Sequence, residues 1–215
     1  MIPANGLLVD AARRGTDEYR LGLATWLEVL ENGGVTAFPT DTVWGIGALA
    51  ASETAVERVY QLKRRSADQP LACLVSTVGE ARRWAACWPP AVAELVARHW
   101  PGALTVVLPT LGLPFPAVQR GVAKLGLRVP DRPVLLDVLS RLGQPLAATS
   151  ANVSGQQELP GIDAVRDRLG SFLDLLVDDN VPVTGTASTV VEWDGSLLRV
   201  IRCGKVHLSE SQGSK

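Results

Sequence analysis

Cysteine, histidine and methionine are scarce in this chain of 215 residues, at three, two and one. Cys73, Cys87 and Cys203 are odd in number, far apart and never arranged as CxxC. Reduced thiols are therefore expected rather than a disulfide framework. His99 and His207 stand in no ligand spacing, which leaves a structural zinc site without its donors. No apolar run approaches the roughly 18 to 20 residues needed to cross a bilayer. Asp10, Asp17 and Glu18 interrupt the N-terminal region, and no secretory signal pattern forms there. The expected setting is cytoplasmic, with no membrane partner. Neither sign of charge dominates, since 21 Lys and Arg face 22 Asp and Glu for a net charge of −1. Proteins that mainly grip nucleic-acid backbone usually carry a basic excess, because that affinity is electrostatic. The Walker pattern GxxxxGK[ST] and the nucleophile elbow GxSxG are both missing.

What is present describes a globular domain. At 47% hydrophobic and 20% charged, the chain can bury one sizeable core without staples. Residues 1–208 read as one domain with its core over 17–203, and 209–215 as a short polar tail. Leu23, Trp26, Leu27 and Leu30 share a stripe of a helix predicted over 17–31, which Asn32-Gly33-Gly34 ends. Further helices are expected after the N-cap candidate Ser52, over 78–87, over 90–98 and over 163–169. Another begins at the cap candidate Asp131, with Pro133 in its first turn, and stops at Gly143. Strands are expected at 35–38, 71–75, 104–108, 125–129, 145–148, 173–177, 189–193 and 197–203. Asp194-Gly195 suits a tight turn, so the last two strands read as a hairpin. The order is not a strict βαβ repeat. The expected fold class is a single α/β domain with a twisted mixed sheet flanked by helices.

Gly45-Ile46-Gly47-Ala48-Leu49-Ala50 formally matches GxGxx[GA], but it is too apolar for a phosphate turn opening a helix. An extended strand whose glycines permit close packing is the better reading. Three polar clusters remain. Pro39-Thr40-Asp41-Thr42 follows a strand and either orients a polar ligand or simply stabilises a turn. Lys63-Arg64-Arg65 closes a helix, where Lys63 and Arg65 can converge on one anion or merely complement the helix dipole. Residues 149–155 gather small, hydroxyl and amide side chains at a strand end, where α/β sheets collect ligands. Taken singly, each cluster has a structural explanation at least as good as the functional one.

Taken together they resemble a known family. FPTDTVWGIGA, Lys63-x-Arg65 with Pro70-Leu71 beyond it, WPGALTVVLP, LGLRVPDRP, PLAATSANVSG and GTASTVVE are similar to the YrdC/TsaC family. They occur in that family's order from about Val35 to Arg202, and both halves of its signature, Lys-x-Arg and Ser-x-Asn, are intact. The resemblance implies a YrdC-like sheet around a large, positively charged central cavity. It also implies a nucleotidyltransferase, threonylcarbamoyl-AMP synthase, which joins L-threonine, bicarbonate or CO2 and ATP to give threonylcarbamoyl-AMP and pyrophosphate. A separate tRNA threonylcarbamoyl transferase complex would receive the product. Carried onto this sequence, Thr42, Arg128, Ser150 and Ser188 bind threonine. Lys63, Arg65, Gln69, Asn152 and Arg202 bind ATP, and Lys63 and Arg65 are the catalytic cations facing the departing pyrophosphate. Mg2+ is implied with ATP, held by phosphates and water rather than by a protein cage.

The sequence departs from the family pattern at Trp44, usually Tyr, at Ser66, often Pro, and at Gln69, usually Lys or Asn. Leu74 stands where some members have a threonine-contacting His. These changes bear on substrate contacts more than on the reaction. Two alternatives accompany this reading. One is a YciO-like paralogue acting on another nucleotide or small substrate. The other is a double-stranded-RNA-binding module using the basic cavity as a groove, with affinity falling steeply in salt. The balanced charge argues against a dedicated module, while weak RNA binding is compatible with catalysis.

Overall fold

The strands, most of them buried along much of their length, join in one large sheet. The computed structural model describes residues 7–66, 68–152 and 156–208. Its strands are β1 (Leu7–Leu8), β2 (Thr36–Pro39), β3 (Trp44–Leu49), β4 (Ala72–Leu74), β5 (Leu104–Pro109), β6 (Lys124–Arg128), β7 (Leu146–Ser150), β8 (Leu175–Asp178), β9 (Thr189–Trp193) and β10 (Leu198–Arg202). They lie in the order β1-β8-β2-β3-β7-β4-β6-β5-β9-β10. The β1/β8, β2/β8, β4/β6 and β5/β9 pairs run parallel and the others antiparallel, so the sheet is mixed as expected. The helices are α1 (Asp17–Glu31), α2 (Glu53–Lys63), α3 (Val78–Trp84), α4 (Pro90–His99), α5 (Pro116–Gln119), α6 (Pro133–Leu142) and α7 (Ile162–Leu169).

On one face, Leu23, Trp26 and Leu30 of α1 and Val138 and Leu139 of α6 bury Phe38, Leu146 and Val177. On the other, Val56 and Val59 of α2 and Val92 and Val96 of α4 cover Cys73, Val106, Leu127 and Ala147. The alternate residues of β4, β5, β6 and β7, among them Ala72, Thr105, Gly126, Arg128 and Ser150, border a cavity instead. One set of strands thus presents an apolar face to helices and an open face of small and polar side chains.

The Gly45–Ala50 segment is the strand β3 rather than a nucleotide turn. Gly47 is required there, because a Cβ would lie 2.5 Å from the Ala147 carbonyl oxygen on β7. Several expectations need correcting. Asp131 is not a helix cap: α6 has Arg132 as its N-cap with no side-chain cap bond. Arg132 is committed to Asp179 (2.5–2.6 Å) and to backbone carbonyls of residues 181 and 182. The helix predicted over 78–87 ends at Trp84, since Ala85 turns to extended backbone. The two-residue β1 and four-residue α5 were not anticipated, being too short to show a period. The tail 209–215 lies outside the described residues, as do 153–155 of the third polar cluster. Among the described residues no helix is long and apolar enough to cross a membrane.

Candidate active site

The C-terminus of α2 aims its two useful cations. Arg64 caps the helix in the left-handed region (φ 48°), turning the chain so that Arg64 itself is exposed. Lys63, only 3% exposed, reaches inward from the last turn, and half-buried Arg65 follows on the cavity wall. The Lys63 ammonium donates to the Ser150 carbonyl at 2.8 Å, Ser150 Oγ at 3.2 Å and Asn152 Oδ1 at 3.1 Å. All three ammonium protons therefore have protein acceptors. Ser150 Oγ also donates to Asn152 Oδ1 at 2.5 Å, joining the Lys-x-Arg and Ser-x-Asn segments in one network. Arg65 Nε and Nη2 donate to the carbonyls of Gln69 and Pro70, both at 3.1 Å. The Gln69 carbonyl accepts from the Tyr60 hydroxyl as well, at 2.9 Å. Gln69 thus acts here through its backbone; the residue is exposed and does not line the cavity.

A second group centres on Arg128 at the end of β6. Its Nε donates to the Gly102 carbonyl at 2.9 Å, Nη1 to Thr42 Oγ1 at 3.1 Å and Nη2 to Asp41 Oδ1 at 2.6 Å. Three of five N–H donors are engaged in these bonds, leaving two for a ligand. Thr40 Oγ1 accepts from the Thr42 and Val43 amides at 3.1 Å, which fixes the turn that presents Thr42. Ser188 Oγ lies 3.0 Å from Thr105 Oγ1 and accepts from Arg202 Nη2 at 3.1 Å. Arg202, on the edge strand β10, also donates to the Ser188 carbonyl at 2.9 Å. Gly204 allows this approach, since a Cβ there would meet the Ala187 carbonyl at 2.4 Å.

These groups share one cavity of about 470 Å3. Thr42, Arg65, Arg128, Ser150, Ser188 and Arg202 line it. Lys63 and Asn152 stand behind Ser150 rather than on the wall, tied to it by the bonds above. Burial is the main cause that lowers the Lys63 pKa to about 8; Arg65 and Arg202 push the same way and Glu158 opposes. Desolvation likewise holds Arg65, Arg128 and Arg202 below the ordinary arginine value. Of the departures, Leu74 borders the cavity, Trp44 packs into the core, and exposed Ser66 bonds Asp68. Sequence reasoning placed Asp41 in a polar cluster without a role and passed over Thr105 and Glu158. Only tertiary contact distinguishes these from ordinary turn, strand and loop residues. Among the described residues no group of three or more His, Cys, Asp or Glu gathers to hold a metal.

A mixed sheet whose open face sets desolvated cations beside buried hydroxyls makes this an α/β protein with a cavity whose lining suits small anionic molecules. The Sua5/YciO/YrdC family model, described as "telomere recombination", matches residues 28–204, and the chain belongs to that family. It is 32% identical over 179 residues to a threonylcarbamoyl-AMP synthase of Bacillus subtilis, covering 83% of this chain and 52% of that protein. It is 34% identical over 158 residues to the threonylcarbamoyl-AMP synthase of Marinobacter nauticus, covering 73% and 83%. The crystal structure of Pyrococcus abyssi Sua5 complexed with L-threonine superposes with a TM-score of 0.81 at 29% identity. That match covers 86% of this chain and 54% of the other. The chain thus spans about half the length of the B. subtilis and P. abyssi relatives.

Proposed function

We propose that this protein condenses L-threonine, bicarbonate or CO2 and ATP into threonylcarbamoyl-AMP and pyrophosphate. The observation that carries the proposal is one cavity bordered by both the Arg128–Thr42 pair and the cations Arg65 and Arg202. The names of the B. subtilis and M. nauticus relatives, and threonine in the P. abyssi structure, support it.

In this reading Arg128 takes the threonine carboxylate with its two remaining donors, while Thr42, Ser150 and Ser188 contact the amino acid. Arg65, Arg202 and the Lys63–Asn152 pair behind Ser150 serve the nucleotide. The threonine amine attacks CO2 to give a carbamate. A carbamate oxygen then attacks the α-phosphorus of ATP, and the bond to the β,γ-phosphates breaks to release pyrophosphate. No side chain becomes a covalent nucleophile. Fixed cations stabilise charge on the departing group, and positioning supplies most of the remainder. Magnesium, implied with ATP, would be held by phosphate oxygens and water and would supply charge neutralisation at the triphosphate. The product then passes to a transferase complex that modifies tRNA.

The test is pyrophosphate release from ATP with magnesium and bicarbonate, with and without L-threonine, with L-serine as control. Threonine-dependent release, with the adenylate seen by rapid mass analysis, is the expected result. Its absence from well-folded protein would move the assignment to a paralogue acting on another substrate.

A further inference from the structure

Glu158 has no part in the reaction just described, yet its carboxylate sits among the groups assigned to phosphate. It is half-buried on the segment between β7 and α7. Two residues before it, the Gln156 carbonyl accepts from Asn152 Nδ2 at 2.5 Å. The Glu158 carboxylate faces Lys63, Arg202 and the Ser150 hydroxyl. Its Oε2 is buried with no hydrogen-bond partner.

That combination is unusual beside the other carboxylates of the site. Asp41 is hydrogen-bonded to Arg128 at 2.6 Å, and Glu192 is ion-paired with Lys124. Both are fastened by a direct bond to a cation. Glu158 has one oxygen left without a donor, a costly arrangement for a buried charged group. Burial raises its pKa above the ordinary carboxylate value, while Lys63, the Ser150 hydroxyl and Arg202 favour the charged form. Such a group is easily displaced, because no direct bond to a cation fastens it and a phosphate brings more negative charge to the same cations. When the phosphate leaves, the carboxylate can return.

We propose that Glu158 is an internal competitor for the phosphate subsite: it neutralises Lys63 and Arg202 in the nucleotide-free protein, yields to the triphosphate, and weakens retention of pyrophosphate. The inference rests on the proposed function, which assigns those cations to ATP phosphates. Removing the charge by Glu158→Gln should tighten pyrophosphate binding about tenfold, as expected for loss of one like charge at partly buried range. Calorimetry of the whole protein with pyrophosphate, and pyrophosphate inhibition of threonine-dependent turnover, both read this. Glu158→Asp, with the charge on a shorter arm, should fall between the two. Threonine affinity is measured in parallel to show that the variant site is folded. Unchanged or weaker pyrophosphate binding in folded Glu158→Gln overturns the proposal, and weaker binding would make Glu158 a contact that helps hold phosphate. If Glu158→Gln fails to fold, Glu158→Asp decides: pyrophosphate binding no tighter than wild type overturns the proposal. Wild-type protein that binds neither ATP nor pyrophosphate overturns the proposed function and this inference together. Wild-type binding with no difference in the variants removes only the inference.

Discussion

At the residue scale, the site depends on cations held by protein oxygens before any ligand arrives. Arg65 is braced by two carbonyls and sits on the cavity wall, so Arg65→Ala should lower turnover by at least ~100-fold if it stabilises the departing pyrophosphate. Turnover within a few-fold of wild type in a steady-state assay would refute that role. Lys63→Ala should cut turnover comparably, but its effect has a second part. Ser150 and Asn152 would lose their shared donor, and unfolding measurements should show a loss of about 1–3 kcal/mol. Arg128→Ala should weaken threonine binding by roughly 10- to 100-fold, the range of a lost hydrogen bond to a charged group. ATP affinity should change little, and calorimetry with each substrate separates the two. Equal loss of both affinities would mean that Arg128 mainly holds the fold, through Asp41 and Gly102.

At the scale of elements, β3 lies close against β7. Gly47→Val should destabilise the protein by about 1–3 kcal/mol, because its Cβ has no room beside the Ala147 carbonyl. Gly126→Ala provides the contrast. A Cβ there meets Thr105 and Ala72 at 3.5 and 3.6 Å, so urea unfolding should move by less than ~0.5 kcal/mol. A large loss at Gly126 with none at Gly47 would invert this account of the sheet. Most elements were legible because they are long and periodic: α1 spans 17–31 as its stripe of Leu23, Trp26 and Leu30 indicates. The hairpin at Asp194-Gly195 was legible as well, since Asp194 Oδ1 caps the Ser196 and Leu197 amides. The α6 cap was misread because Asp131 is the better local capping residue, whereas Arg132 is positioned by Asp179, which is 47 residues distant in sequence.

At the scale of the whole molecule, burying Lys63 links function and stability with opposite signs. Its pKa is lowered to about 8, chiefly by desolvation, from an ordinary value of 10.5. The charged form that the proposed function assigns to the phosphates is thus lost above about pH 8, and kcat/KM for ATP should fall there. Stability should move the other way. Between about pH 8 and 10.5 the unfolded chain holds a proton on this side chain that the folded chain has released, so this contribution rises with pH. It is complete above the unfolded value and lost as pH falls through 8. Denaturant unfolding of wild type and Lys63→Met at pH 7 and pH 9.5 isolates it. A difference between the two proteins that does not grow in favour of wild type at the higher pH would contradict the linkage.

The sequence alone determined the alternating α/β class, the principal strands and helices, and the segments that carry the site. It did so because periodicity, helix stops and turn chemistry are local properties. The Lys-x-Arg and Ser-x-Asn segments were recognisable as motifs while each remained explicable as a helix end or a turn. Tertiary structure decided which side chains meet. It set Lys63 behind Ser150 with all its donors occupied, turned Gln69 outward to act through its carbonyl, and paired Arg128 with Asp41. It also brought Glu158 within electrostatic reach of Lys63 and Arg202. These outcomes depend on strand order and the left-handed cap at Arg64, which join groups 86 to 89 residues apart for Arg128–Thr42 and Lys63–Asn152. No local pattern encodes a contact whose energy exists only once the sheet has formed.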